Sequence, residues 1–143
     1  MPSVSTYLNF KNQTEEAFNF YKTVFGGEFI GGIHRFSDIP PSEGQPPIPE
    51  ADKHLVMHVE LAILGGHKLM GTDAPESMGF NIVSGNNVYI NLEPDTKTEA
   101  DRLFKAFSTN GTIQMPMQDM FWGAYYGCCT DRFGIQWMIN VTA

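Results

Sequence analysis

The amino-acid sequence predicts an α+β fold made of two βαβββ modules. The tetrad YLNF at residues 7–10 returns as YINL at residues 89–92, and each copy precedes a segment with helical spacing of apolar residues. Behind each predicted helix come three segments with the alternating pattern and turn residues of β-strands. We therefore expect one strand, one helix and three further strands, in that order, twice, forming cupped mixed sheets.

The two predicted helices have matching patterns and start signals. Their apolar side chains recur at i, i+3, i+4 and i+7, which gives each helix one face for a core. The positions are Ala17, Phe20, Tyr21 and Val24 in the first helix, and Ala100, Leu103, Phe104 and Phe107 in the second. Asn12 with Glu15, and Thr96 with Glu99, have the spacing of capping boxes. We expect each helix to pack one face on a sheet.

Three extended segments follow each predicted helix. They are residues 27–36, 54–64 and 67–73 in the first half, and residues 112–120, 124–131 and 135–141 in the second. Turns are expected at Gly65 and Gly66 and at residues 132–134. Residues 37–53 contain five of the nine prolines, which indicates an exposed loop between strands.

These boundaries predict a single domain that spans residues 1–143. Module one covers about residues 1–73, a linker covers about residues 74–85, and module two covers about residues 86–143. A length of 143 residues with 42% hydrophobic residues is sufficient for one buried core.

Composition and charge exclude several classes of function. A net charge of −7 argues against binding to nucleic acid or to an anionic membrane surface, because both need a clustered basic face. No apolar run is long enough to span a bilayer, and the first residues lack the pattern of a secretory signal. Cys128 and Cys129 are adjacent, which is poor geometry for a disulfide. We expect reduced thiols in a cytoplasmic protein.

Four stretches of the chain resemble a known family. They are YLNF…EEAFNFYKTVFGGE, MHVELAILGGHKLMGTD, EADRLFKAF and MFWGAYYGCCTDRFGIQWMIN. With the paired βαβββ modules, they resemble the PhnB-like branch, the "3-demethylubiquinone-9 3-methyltransferase" domain family, of the vicinal oxygen chelate superfamily. That superfamily includes glyoxalases, bleomycin-resistance proteins and extradiol dioxygenases. The resemblance implies its fold, a small-molecule ligand in a cleft lined by the cupped sheets, and a homodimer.

The resemblance also implies where metal ligands would stand. Relatives typically place His on the first strand and Glu on the last strand of each module. Here the matching positions hold Tyr7 and Met70, and Tyr89 and Met138, with Thr6 or Val88 as one-residue alternatives on the first strands. Thioethers and neutral phenols are poor ligands for divalent metals of the glyoxalase type. We therefore expect no metal.

The sequence also predicts no organic cofactor. Methyl transfer is not favoured, since no glycine-rich turn leads from a strand into a helix in the manner that cradles a nucleotide-like cofactor.

Alternation along the strands predicts which side chains face the cleft. Tyr7 and Asn9 share one face of the first strand, opposite apolar neighbours, and Tyr89 and Asn91 repeat the arrangement. The repeated tetrad therefore buries one stripe under a helix and presents a polar and aromatic stripe to a ligand.

His58 and Glu60 are the candidates for chemistry. They stand two apart on a predicted strand, so both side chains lie on one face. Three roles are open: a structural hydrogen-bonded pair, orientation of a ligand or proton transfer to it, and metal ligation. His34 is a possible third ligand in the last case.

The segment 120–127 supplies four large aromatic side chains. Phe121, Trp122, Tyr125 and Tyr126 either floor an apolar pocket with polar handles or fill the core or a dimer seam. Methionines such as Met115 and Met138 either give that pocket adaptable walls or fill the core.

The sequence thus predicts a small-molecule-binding protein with a metal-free aromatic cleft. The alternative is a metal-dependent lyase, isomerase or oxygenase with ligands relocated to His58 and Glu60, and whether a reaction is catalysed stays open. The expected ligand-binding residues are Tyr7, Asn9, His58, Glu60, Met70, Tyr89, Asn91, Phe121, Trp122, Tyr126 and Met138. The expected partners are a small molecule and a second copy of the chain.

Overall fold

A computed structural model describes residues 2–40, 43–44 and 46–142. The strands are β1 (Thr6–Phe10), β2 (His34–Arg35), β3 (Val56–Ala62), β4 (Lys68–Asp73), β5 (Ile90–Leu92), β6 (Thr112–Asp119), β7 (Ala124–Thr130) and β8 (Gln136–Thr142), and the helices are α1 (Thr14–Phe25) and α2 (Lys97–Ser108). Single turns of 3₁₀ helix occur at Phe36–Asp38, Glu50–Asp52 and Glu76–Met78. In the described part of the chain, neither α-helix has the length and apolarity that a bilayer crossing requires.

The chain divides after Val83 into two compact units, here called unit one and unit two. Unit one contains β1 to β4 and α1, and its sheet has the strand order β1-β4-β3-β2. Unit two contains β5 to β8 and α2, and its sheet has the equivalent order β5-β8-β7-β6. In each unit the first strand is parallel to the last strand, and the remaining pairs are antiparallel. The predicted α+β fold of two βαβββ modules is confirmed.

The core of unit one lies between α1 and the sheet. Ala17, Phe18 and Tyr21 of the helix are completely buried, together with Leu61 and Leu69 of β3 and β4. Burying such apolar surface is the main favourable contribution to folding.

Gly71 of β4 makes close packing of the helix possible. A Cβ atom at this position would lie 2.4 Å from the Phe18 ring, so only glycine lets that ring lie directly on the strand.

A buried carboxylate holds α1 to the sheet. Asp73 at the end of β4 accepts hydrogen bonds from the backbone N–H of Thr14 at 3.1 Å and from its hydroxyl at 2.7 Å. Its other oxygen accepts from the backbone N–H of Val56, the first residue of β3, at 2.8 Å. One side chain therefore fixes the start of the helix relative to two strands.

Unit two has an aromatic core beneath α2. The Trp137 ring of β8 stacks on Phe107 of the helix, with ring centroids 4.1 Å apart. Trp137 and Cys129 are completely buried and lie opposite each other on β8 and β7. The Trp137 indole N–H donates to the buried Asp131 carboxylate at 2.9 Å, which gives its polar atom a partner.

The N-cap of α2 is as predicted, although the Glu99 carboxylate binds Arg102 and does not close the predicted capping box. The start of α1 differs from the prediction. Thr96 is the N-cap of α2, and its hydroxyl accepts the Glu99 N–H at 3.2 Å. The predicted cap at Asn12 is wrong, because α1 begins after Gln13 and Asn12 adopts a positive φ of 62°. Asp73 binds the free N–H of Thr14 instead, so a long-range contact replaces the local cap.

The extended segment predicted over residues 27–36 is largely wrong. Only His34–Arg35 forms a strand, with an isolated bridge between Phe29 and Leu61. Gly31 and Gly32 have φ values of 73° and 74°, a left-handed conformation that interrupts a strand. The predicted turns at Gly65 and Gly66 and at residues 132–134 are confirmed.

Candidate functional site

Each sheet has one face covered by its helix and one face that its helix leaves uncovered, which we call the open face. In unit one, Gly71 faces Phe18 of α1, so Met70 lies on the open face. Tyr7 and Glu60 are the cross-strand neighbours of Met70 and share that face. His58, two residues before Glu60 on β3, is also on it. The predicted residues of unit one therefore come together in space.

A chain of hydrogen bonds crosses the open face of unit one. The Tyr7 hydroxyl lies 3.0 Å from His58 Nδ1. His58 Nε2 lies 3.4 Å from Glu60 Oε1, and the other Glu60 oxygen lies 3.4 Å from Lys68 Nζ. The chain thus joins β1, β3 and β4, and it ends at a half-exposed ammonium group.

The geometry assigns a direction to these hydrogen bonds. A carboxylate only accepts, so the His58–Glu60 contact requires a proton on Nε2 of the imidazole. In the neutral ring, Nδ1 then accepts a hydrogen bond that the Tyr7 hydroxyl donates. Burial raises the pKa of the Tyr7 phenol above its ordinary value of 10.0, so the phenol carries its proton at neutral pH. The oxygen of Tyr7 keeps lone pairs for a further donor.

Two more side chains complete this face. The His34 ring lies 6.4 Å from the His58 ring, measured between centroids, where the short β2 pairs with β3. Asn9 lies opposite Thr72 in the register of β1 and β4, next to the Tyr7–Met70 pair. The Tyr7 side chain is 48% exposed, although it is held by His58.

The open face of unit two differs in chemistry from that of unit one. In register, Met115, Cys128, Met138 and Asn91 form one row across β6, β7, β8 and β5. Tyr126 lies opposite Asn140 in the next row. These are thioether, thiol, phenol and amide groups, and none of them is a carboxylate, an amine or an imidazole.

The first and last strands of the two units pair in different registers, relative to the positions that were assigned to metal ligands. Tyr7 lies opposite Met70, but Asn91, not Tyr89, lies opposite Met138. The first strands are therefore offset by two residues relative to the last strands. An offset of two residues keeps each side chain on its face, so the polar stripe survives although its register differs.

Burial and a neighbouring thiol alter the Tyr126 phenol. Desolvation, followed by its hydrogen bond with Cys128 and the proximity of Tyr89, raises the pKa of Tyr126 to about 12. Cys129 points to the opposite face, where burial raises the pKa of its thiol to about 12. Such a thiol is unreactive.

Two predicted aromatic residues lie away from these rows. Phe121 and Trp122 occupy the turn between β6 and β7, where they are 98% and 56% exposed. Their rings contact each other edge to face, with centroids 5.0 Å apart. A role for them in ligand binding stays a prediction.

Three residues of the open faces were not predicted as ligand-binding residues. Lys68 stands two residues before Met70, Asn140 two residues after Met138, and Cys128 opposite Met138. Alternation along β4 and β8 was available as a signal for the first two. The neighbours of these residues on other strands, such as Glu60 for Lys68 and Tyr126 for Asn140, depend on the pairing of the strands, which alternation along one strand does not predict.

The residues at the family's metal positions do not fit a divalent ion of the glyoxalase type. Tyr7 and Tyr89 offer phenols and Met70 and Met138 offer thioethers, which are poor ligands for such an ion. No cluster of three or more His, Cys, Asp or Glu side chains suited to a metal occurs within residues 2–40, 43–44 and 46–142.

Comparison with known proteins gives relatives over nearly the whole chain. The model of the family described as 3-demethylubiquinone-9 3-methyltransferase matches residues 2–140. The Escherichia coli (strain K12) protein YjdN is 29% identical over an aligned length of 147 residues, with 96% of this chain and 94% of YjdN covered.

Solved structures are also similar to this chain over nearly its whole length. Protein PA1353 from Pseudomonas aeruginosa is 33% identical, with 99% of this chain and 98% of that one covered and a TM-score of 0.82. A glyoxalase/bleomycin resistance protein/dioxygenase family enzyme from Burkholderia phytofirmans PsJN is 20% identical, with 96% and 98% covered and a TM-score of 0.63, and it supports the fold alone.

Proposed function

Because this chain belongs to the family described as 3-demethylubiquinone-9 3-methyltransferase, we propose that it binds small organic molecules on the open faces of its sheets, each face by itself. On unit one, the polar contact is the hydrogen-bonded Tyr7–His58–Glu60 chain. On unit two, aromatic and sulfur side chains supply apolar contact.

The observation that carries the proposal is the hydrogen-bonded chain from Tyr7 to Glu60. The Glu60 side chain is only 15% exposed, and a carboxylate withdrawn from water to that degree costs free energy unless it is paired. The core under α1 does not involve the Glu60 side chain, since Tyr7, His58 and Glu60 lie on the opposite face of the sheet. A pre-oriented imidazole and phenol at a half-exposed surface are suited to holding a ligand that exchanges hydrogen bonds with Tyr7.

The proposal includes neither methyl transfer from a cofactor nor chemistry at a bound metal. The turns that lead from strand to helix, residues 11–13 and 93–96, contain no glycine, so they do not fit the nucleoside part of a methyl donor. The alternative of a metal site at His58 and Glu60 is less favoured, because both ring nitrogens of His58 already face a hydrogen-bond partner.

A ligand screen with matched variants tests the proposal. A library of small phenols, amides and carboxylic acids is titrated into ¹⁵N-labelled protein, and amide shifts in β1 and β3 are followed. Compounds that bind here are expected to bind about tenfold more weakly to His58→Ala, which removes one or two hydrogen bonds. His54→Ala is the control, because His54 is exposed and lies outside the polar chain. Failure of every compound to shift β1 or β3 would contradict the proposal.

Titration with Zn²⁺, Ni²⁺, Mn²⁺ and Fe²⁺ tests the metal-dependent alternative. Binding of one metal per chain that is lost in His58→Ala and kept in His54→Ala would replace the proposed function by the metal-dependent one. We expect no such stoichiometric binding, because neither nitrogen of the His58 ring is free of a partner.

The second expected partner is another copy of the chain, and this stays a proposal. It is supported by β6, which forms the outer edge of the unit-two sheet and has a half-exposed Ile113. Exposed strand edges are commonly paired or covered in native proteins. Sedimentation of the full chain at micromolar concentration measures the oligomeric state.

A further inference from the structure

The open face of unit two contains a buried polar atom that has no partner within residues 2–40, 43–44 and 46–142. The side-chain oxygen of Asn140, Oδ1, is inaccessible to water and has no hydrogen-bond partner among the residues that the structure describes. Buried polar atoms in native proteins are paired in the great majority of cases, because an unpaired one carries its full desolvation penalty. A donor from outside the chain pairs with this acceptor once the side chains that cover it move aside.

The surroundings of Asn140 indicate the chemistry of that donor. Tyr126 lies directly opposite on β7, and its phenol keeps its proton far above neutral pH. The adjacent row places the sulfur atoms of Met115, Cys128 and Met138 on three neighbouring strands. Sulfur side chains make favourable contacts with aromatic rings and adapt to their shape.

The open face of unit two differs from that of unit one in its charged groups. The latter has an ammonium and a carboxylate in contact, at Lys68 and Glu60. In unit two the carboxylate of Glu93, the residue after β5, accepts from the Asn91 amide at 3.3 Å. A ligand group that docks against Asn140 therefore meets neutral, polarisable side chains, which favour a neutral group over an ion.

We propose that the open face of unit two recognises a neutral aromatic group that donates one N–H or O–H hydrogen bond to Asn140 Oδ1. Met115, Cys128 and Met138 contact the ring, and Tyr126 lies beside the donor. This inference rests on the proposed function and specifies the ligand chemistry for unit two, with Asn140 as the specificity-determining residue.

A pair of probes that differ by one donor tests the inference. Indole and 1-methylindole share a ring system, but only indole has an N–H. Each is titrated into the ¹⁵N-labelled full chain, and the side-chain NH₂ of Asn140 and the backbone amides of Tyr126 and Met138 are followed. Indole is expected to shift these signals and to bind about fivefold to tenfold more tightly than 1-methylindole, the ratio for one hydrogen bond of ordinary strength.

Two variants separate the possible outcomes. Asn140→Leu is expected to abolish the preference for indole, because the acceptor is gone while the apolar surface remains. His54→Ala is expected to leave the preference unchanged, because His54 is exposed and belongs to neither open-face site. The backbone amides of β1 and β3 are followed in the same titration, so that failure of the unit-one site and failure of this inference give different results. Equal affinity of wild type for the two probes, or the absence of any shift at Asn140 with indole, would overturn the inference without reference to the variants.

Discussion

Asp73 gives the sharpest prediction about how the open face of unit one is held in place. Its carboxylate accepts three hydrogen bonds, two from Thr14 and one from the backbone N–H of Val56, at 2.7–3.1 Å. Asp73 is 3% exposed and Val56 is 1% exposed, so water cannot replace a lost partner. Asp73→Asn keeps the size of the side chain and changes only one acceptor into a donor.

The amide of the variant cannot satisfy all three donors. If its oxygen faces Thr14, its NH₂ group faces the Val56 N–H, and if it is turned, two donors of Thr14 are opposed. Loss of one hydrogen bond to a charged acceptor, with a buried N–H left unpaired, costs about 2–5 kcal/mol. For a chain of this length, that loss lowers Tm by roughly 8–20 °C.

Denaturant titration followed by circular dichroism measures this change in the free energy of unfolding. Hydrogen exchange adds a local readout, and faster exchange is expected in β3, because Val56 begins the strand that carries His58 and Glu60. Asp95→Asn is the control, since Asp95 is exposed in the turn before α2. A loss of less than about 0.5 kcal/mol in Asp73→Asn, the range of an ordinary surface substitution, would refute the reasoning.

Three further outcomes follow from the packing and the shifted pKa values. Gly71→Ala places a Cβ 2.4 Å from the Phe18 ring and is expected to cost about 1–3 kcal/mol in denaturant titration, and an unchanged midpoint would contradict the packing. At about pH 11 the folded Tyr126→Phe variant should have the same tyrosinate absorbance as folded wild type, because Tyr126 is still protonated there. In urea the variant should have less tyrosinate absorbance than wild type, by the amount that one tyrosine contributes. A lower absorbance of the folded variant would contradict the raised pKa. The hydrogen bonds from Arg35 lower the pKa of Glu15 below 4.5. The contribution of Glu15 to the free energy of unfolding is therefore present above pH 4.5 and is lost as pH falls through the folded-state pKa. Denaturant titrations of Glu15→Gln should show a stability that falls less steeply in acid than that of wild type, and an unchanged fall would exclude the Glu15–Arg35 pair as its cause.

Local patterns in the sequence predicted most of the secondary structure and the faces of the strands. The apolar spacing of α1 and α2 and the alternation along β3, β4, β7 and β8 are properties of neighbouring residues, so they are visible without a structure. His58 and Glu60 were assigned to one face on this basis, and their contact at 3.4 Å agrees. The prediction for residues 27–36 was wrong because two consecutive glycines took a left-handed conformation that an alternating pattern does not exclude.

By itself, therefore, the sequence determined a doubled βαβββ fold, the resemblance to its family, and the shared face of strand residues such as His58 and Glu60. Only the tertiary structure decided which residues meet. It shows Asp73 as the partner of α1, Lys68 at the end of the hydrogen-bonded chain, Asn91 and not Tyr89 opposite Met138, and Asn140 Oδ1 with no partner among the described residues. The physical reason is that a side chain's face follows from the two-residue period of its own strand. Its neighbours across the sheet follow from strand order and register, which are set by packing between residues that lie far apart in the chain.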